Sequence, residues 1–280
     1  MVSAPIVVAT DFSARADRAL DRALLLGKER HCTVRVIHAL DFMDADNADW
    51  ASLENRMAQT IGEAPCPIET AFPEGSPPHA IATEARASGV ELLVLGPARY
   101  NSLGDYFLGT AVDYVLRNTD RPTLVVKNRA RMPYGHIVAG TDFSPASAHA
   151  IIEGARLFPD AQLHVVHAWH VPFEGLQRDQ YVAEEIEADE SKRLAKFMDD
   201  LKSQAPNLKD ATFRLVRGAV HQALTTEIRS HDYDPAATLV VLGSHGTSGF
   251  RQAALGSVTS DLLTTLASDI LVINTKNVEP

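Results

Sequence analysis

Cysteine is scarce. Cys32 and Cys66 are the only two in 280 residues, far apart and without metal-type spacing. That argues against a disulfide framework or a cysteine zinc site, and reduced thiols in a cytoplasmic protein are expected. No apolar run approaches the ~18 residues of a membrane span. The first residues, Met1 to Val8, run almost directly into a strand pattern, with no basic segment or cleavable apolar stretch. A secretory leader is therefore not expected. Basic excess is lacking too. The formal charge is −10; residues 1–130 carry 13 basic and 17 acidic side chains, and the remainder 13 and 19. Neither nucleic acid nor membrane is an expected partner.

Several catalytic signatures are also missing. There is no GxxxxGK[ST] and no GxGxxG, which argues against a Walker ATPase and a dinucleotide dehydrogenase. The eleven histidines show no HExxH or paired ligand spacing, and no G-x-S-x-G nucleophile elbow occurs. No catalytic residue is assigned.

What is present is an alternation of short apolar runs and helical patterns, repeated once. The first half has strand-like runs at Ile6–Ala9, Thr33–Ala39, Ile68–Phe72, Leu92–Leu95 and Thr123–Val126. A helix is expected from Ala14 to a stop at Gly27, with Ser13 as its cap. The second half opens with His136–Gly140 and then repeats Thr-Asp-Phe-Ser, at 10–13 and 141–144. Asp11 and Asp142 are 131 residues apart, His38 and His167 129, Gly75 and Gly218 143, and both Gly96–Gly243 and Gly109–Gly256 147. The spacing grows only in connecting regions: in the second helix, which is longer in the second half (about 179–204), and near Asp232–Pro235. Two homologous α/β domains follow, 1–129 and 133–280, each with a parallel sheet.

The stretch Leu239–Val258 is the most informative. An apolar strand runs into a glycine-rich turn and then a helix beginning near Ser257. Such a turn can present backbone N–H groups to an anion; it can equally be an ordinary loop closed by a helix cap. Gly243-x2-Gly246-x9-Gly256-Ser257 resembles the nucleotide loop of the universal stress protein family, and the resemblance, in a tandem two-domain form, covers nearly the whole chain. It implies two Rossmann-like domains, each a five-stranded parallel sheet of order 3-2-1-4-5 with helices on both faces. A ligand would sit at the switch point between the first and fourth strands.

The resemblance also implies a site. Thr141, Asp142, Ala168, Leu242 and Gly243 would line the adenine and ribose side, and Gly246, Gly256, Ser257, Val258 and Thr259 the phosphate arc. Asp142 could instead cap the following helix with Ser144, and Val258 could be helix core. The implied ligand is ATP or another adenine nucleotide, with Mg2+ reaching Asp142 through the phosphates. The implied function is stress-response regulation with a protein partner of unknown identity. A nucleotide-independent adaptor and a slow nucleotide hydrolase are the alternatives. The family also suggests an internal pseudo-dimer through the last strands, Val125-Val126 against Leu271-Val272, and leaves open a homodimer of the whole chain. The first domain departs from the pattern. Arg99 replaces the second glycine and Pro97 removes an N–H donor, although Gly109-Thr110 persists. Poor triphosphate binding is expected there, the alternative being a direct Arg99–phosphate contact. His38 and His167 read as satisfied rim residues, and the acidic run Glu184–Glu190 as a solvated helix face.

Overall fold

In a computed structural model that describes residues 3–87, 89–97, 110–171, 180–230, 233–245 and 255–275, ten strands join into one sheet. The first half contains β1 (Ser3–Ala9), α1 (Ala14–Arg30), β2 (Cys32–Ile37), α2 (Phe42–Ala45), α3 (Trp50–Ile61), β3 (Ile68–Ala71), α4 (Pro77–Ala85), β4 (Leu92–Leu95), α5 (Thr110–Asn118) and β5 (Thr123–Val125). The second contains β6 (His136–Gly140), α6 (Pro145–Leu157), β7 (Gln162–Trp169), α7 (Gln180–Gln204), β8 (Thr212–Arg217), α8 (Val220–Ser230), β9 (Thr238–Gly243), α9 (Ser257–Thr265) and β10 (Asp269–Ile273). The sheet order is β3-β2-β1-β4-β5-β10-β9-β6-β7-β8, so each half has the 3-2-1-4-5 order. No described helix is long and apolar enough to cross a membrane.

The halves meet where β5 and β10 pair antiparallel, Leu124 opposite Leu271 and Val125 opposite Ile270. All other strand pairs are parallel. The contact falls on the two last strands, as expected. Leu124 and Leu271 are fully buried there, so each half covers an apolar edge of the other. The repeat extends to backbone detail. Gly75 and Gly218 both take positive φ, 126° and 136°, just before α4 and α8, a region closed to other residues.

One expected boundary moves. Gly27 does not stop α1, which continues to Arg30 and is capped by His31 in the left-handed conformation, φ 51°. Gly27 is glycine for packing instead. A Cβ there would lie 2.5 Å from Val34 Cγ2 and 2.7 Å from Cys66 Sγ. Gly27→Ala is therefore expected to cost about 1–3 kcal/mol through overpacking, despite alanine's better helix propensity of up to about 1 kcal/mol. Chemical unfolding checks this; a variant as stable as the wild type would show that the strands give way freely.

A buried polar cluster joins the halves beside the β5–β10 seam. Asp269, fully buried, accepts from the backbone N–H groups of Lys127 (2.7 Å) and Asn128 (2.9 Å) and from the Tyr134 hydroxyl (2.6 Å). Arg22 of α1, also fully buried, lies 3.8 Å from the Asp269 carboxylate and stacks over the Tyr134 ring at 3.9 Å. Its Nη1 and Nη2 donate to the carbonyls of Met132 and Ala236, both at 2.8 Å. The segment between the repeats is thus tied down at both ends.

Lys127 donates to the Leu266 carbonyl, and burial pushes its pKa down from 10.5 to about 8, partly opposed by Asp269. Between those two values the unfolded chain holds the extra proton, so the stability contributed by Lys127 rises with pH across that window. Wild type should gain on Lys127→Met between about pH 7 and about pH 9.5 in paired urea titrations. A constant difference would mean that the ammonium is hydrated. Taking the difference removes the Tyr134 contribution, whose phenol burial and Asp269 hold protonated well above its ordinary range.

Candidate functional site

The order β9-β6-β7 places β6 between strands whose connections leave on opposite faces of the sheet. A crevice opens beyond the strand ends at such a point. It forms a cavity of about 270 Å3. Nine of the ten residues expected in the site line it: Thr141, Asp142, Ala168, Leu242, Gly243, Gly256, Ser257, Val258 and Thr259. The tenth, Gly246, lies outside the described residues, as do Arg99 and Gly109 of the first half. The four sequence stretches that supply them therefore converge on one space, although 118 residues separate Thr141 from Thr259.

At the end of β6 the chain turns sharply. Phe143 takes φ 62°, and its N–H donates to Thr141 Oγ1 at 3.0 Å. The Asp142 carboxylate accepts from the Ser144 N–H at 3.1 Å and from the Ser144 hydroxyl. Ser144 caps α6, accepting from the Ser147 N–H at 3.1 Å. The cap is thus Ser144, and Asp142 braces it while facing the cavity. Thr141 Oγ1 also meets Ser147 Oγ at 2.9 Å. His167, on β7, donates from Nδ1 to the Thr141 carbonyl at 2.7 Å and stacks on Phe143 at 4.0 Å. It is the satisfied rim residue that the sequence suggests.

Glu190 differs from expectation. It turns inward from α7 and lies 3.6 Å from His167 Nε2 and 2.9 Å from Arg193, and the Arg193 guanidinium sits 5.1 Å over the Phe143 ring. The acidic run is solvated only in part, because the longer helix of the second half packs over the β6 turn.

The opposite wall is the start of α9. Gly256 occupies the cap position, and the first turn begins at Ser257. Val258 is 49% exposed, so it is a rim residue and not helix core. Thr259 is buried and donates to the Gly243 carbonyl at 2.8 Å, pinning the helix start to the end of β9. A buried knot around Ser244 completes the wall. Its N–H donates to the Ile273 carbonyl at 2.8 Å, its carbonyl accepts from Gly256 at 2.9 Å, and its hydroxyl meets His245 Nδ1 at 2.8 Å and accepts from the Thr275 N–H at 3.0 Å. A Cβ on Gly243 would come within 3.2 Å of the His245 carbonyl, and one on Gly256 within 3.3 Å of the Ser244 carbonyl. Both distances are tighter than ordinary Cβ packing, so an alanine at either position would push the neighbouring carbonyl by a few tenths of an ångström. No lysine or arginine is among the described lining residues; Asp142 is the lining carboxylate, with His167 and His245 nearby.

The first half repeats part of this. Phe12 has φ 58°, its N–H donates to Thr10 Oγ1 at 3.0 Å, and His38 Nδ1 donates to the Thr10 carbonyl at 2.8 Å. Three polar supports of the second-half site are not repeated, Thr259 among the expected site residues and Ser147 and Ser244 outside them. At the matching offsets Ser147 becomes Ala16, Ser244 becomes Pro97 and Thr259 becomes Val112. Aligning the two halves on their own offsets reveals these three positions.

Comparison with known proteins agrees with this architecture. The sequence model of the universal stress protein family matches residues 4–127 and 133–274. A universal stress protein of Mycobacterium tuberculosis strain H37Rv is 24% identical over 309 aligned positions, covering 95% of this chain and 94% of the relative; one from Mycobacterium bovis gives the same values. Among solved structures, a universal stress protein from Archaeoglobus fulgidus superposes with a TM-score of 0.67 at 16% identity, covering 96% of this chain and 98% of its own. A protein of unknown function from Pseudomonas aeruginosa PAO1 superposes with the same score at 20% identity, covering 99% and 94%. With both halves matched in tandem, the chain belongs to the universal stress protein family.

Proposed function

We propose that the second half, 133–280, binds an adenine nucleotide, ATP or a close relative, and that this chain is a nucleotide-responsive regulator in the stress response. The observation that carries the reading is the convergence of five separated sequence stretches on one cavity with two unlike ends. One end is apolar, formed by Val166, Ala168, Val220 and Leu242, and suits a purine ring. The other is the amide-bearing first turn of α9, which suits phosphate. Asp142 stands on the β6 side, where it can accept from ribose hydroxyls or serve as an oxygen ligand to nucleotide-bound Mg2+.

Phosphate charge would be met by backbone N–H groups and the helix dipole, since the described lining offers no lysine or arginine. No group in the described lining is placed as an arginine finger, so the reading is of binding and not of rapid turnover. The first half, 1–129, serves mainly as a structural partner, because Pro97, Ala16 and Val112 replace the polar supports of the site. Cytoplasmic location and a protein partner that senses the loaded state belong to the same reading.

Equilibrium titration of ATP against the whole chain and against Gly246→Arg, which copies Arg99 of the first half, tests the assignment. Strong loss in the variant is expected; equal affinity would end it.

A further inference from the structure

The two cysteines, 34 positions apart in the sequence, are brought together by the fold. Strands β2 and β3 pair in parallel with Val34 opposite Ile68, and the Val34 N–H donates to the Pro67 carbonyl at 2.9 Å. Two residues before this pair stand Cys32, the first residue of β2, and Cys66, in the segment that enters β3. Side chains alternate along a strand, so Cys32 shares the face of Val34; Cys32 is in the core cluster beneath α1 and Cys66 packs against it. The space at Gly27 confirms the neighbourhood, since a single point there lies 2.5 Å from Val34 Cγ2 and 2.7 Å from Cys66 Sγ. The ladder that starts just after them, at Val34 and Ile68, holds its strands about 4.8 Å apart, and a disulfide spans roughly 4.4–6.8 Å between Cα atoms. Cys66 precedes β3 and is half-buried, whereas Cys32 is 1% exposed. Cys66 is thus the less buried of the two, its Sγ lying against α1 and donating to the Leu24 carbonyl at 3.8 Å.

We propose that Cys66 and Cys32 form a peroxide-reactive dithiol that closes to an intramolecular disulfide, with Cys66 the reacting thiol and Cys32 the resolving one. Cys66 sulfur attacks one oxygen of a hydroperoxide, the O–O bond breaks, and the departing oxygen leaves as water or alcohol after taking the thiol proton. Cys66 is then a sulfenic acid. Cys32 sulfur attacks it, the S–O bond breaks, and hydroxide leaves as water with the Cys32 proton. Two thiols are oxidised by two electrons and one peroxide is reduced. The bridge would tie the entry of β3 to the start of β2 and close the loop that carries α2 and α3. Burial pushes both thiols up, Cys66 further through its neighbour Cys32. The reaction is accordingly slow at neutral pH and quickens as pH rises. It involves none of the residues of the nucleotide cavity.

The test treats the native, full-length wild-type protein with hydrogen peroxide under non-denaturing conditions and maps its peptides without reduction. Loss of both free thiols, a Cys32–Cys66 linked peptide lighter by two hydrogens and a monomeric chain are expected. In Cys32→Ser, Cys66 should persist as a sulfenic acid that dimedone traps, and Cys66→Ser should leave Cys32 reduced. Wild-type protein that yields only Cys66 sulfinic acid, only intermolecular dimers, or two unreacted thiols overturns the proposal. The decisive arm uses the unsubstituted chain, so folding of the variants does not limit it.

Discussion

Asp269→Ala is expected to lower stability by about 3–5 kcal/mol, the cost of breaking a buried ion pair from one side. Three effects act together. The Arg22 guanidinium, with no exposed surface, loses its compensating charge 3.8 Å away. The Lys127 and Asn128 N–H groups and the Tyr134 hydroxyl lose a common acceptor. The seam between the halves also loosens, because Arg22 and Lys127 come from the first and Asp269 from the second. Urea unfolding followed by circular dichroism measures the loss. Adding Arg22→Met to Asp269→Ala should recover part of it by removing the stranded cation, with a coupling of about 1 kcal/mol or more. A loss below about 1 kcal/mol would place the cluster in contact with water, where a surface pair is worth that little.

The second large effect is on ligand affinity. Val258→Glu sets a carboxylate on the first turn of α9, at a side chain that is 49% exposed and needs no repacking. A negative group near a helix N-terminus stabilises the fold by about 0.3–1 kcal/mol, so loss of binding cannot be blamed on unfolding. Like-charge contact with a phosphate costs several kcal/mol, and about 3 kcal/mol corresponds to roughly a 100-fold loss of ATP affinity. Adenosine, which lacks phosphate, should bind the variant as it binds wild type. Parallel loss of both ligands would put the base, not the phosphates, at α9. An unchanged ATP affinity would remove the phosphates from this helix altogether.

Much of the fold was legible because its signals are local. Apolar runs of four to eight residues between helical patterns locate strands, and the recurring Thr-Asp-Phe-Ser and glycine spacings give both the two halves and the ends of β1, β4, β6 and β9, the last two of which border the cavity. Residues whose reason for being present is distant were not legible. Arg22 reads as an ordinary charged position on a helix, yet its hydrogen-bond partner Ala236 is 214 residues away. Glu190 reads as one acid in a solvated run, and only the packing of α7 over the β6 turn directs it to His167. Gly27 carries the same lesson in reverse. Its position near the end of a helical pattern suggests a stop, but the requirement comes from Val34 and Cys66 on other elements. Ser147 and Ser244 were recoverable in principle, since their replacement by Ala16 and Pro97 in the other half is visible at the matching offsets.

The asymmetry between the halves is the centre of this account, and counting sites tests it most directly. Calorimetric titration of the intact chain with ATP should give one site per chain. Ala168→Trp, which fills the apolar end of the cavity, should abolish that heat, and Ala39→Trp at the matching position of the first half should leave it. Two sites per chain, or binding that survives Ala168→Trp and disappears in Ala39→Trp, would contradict the account.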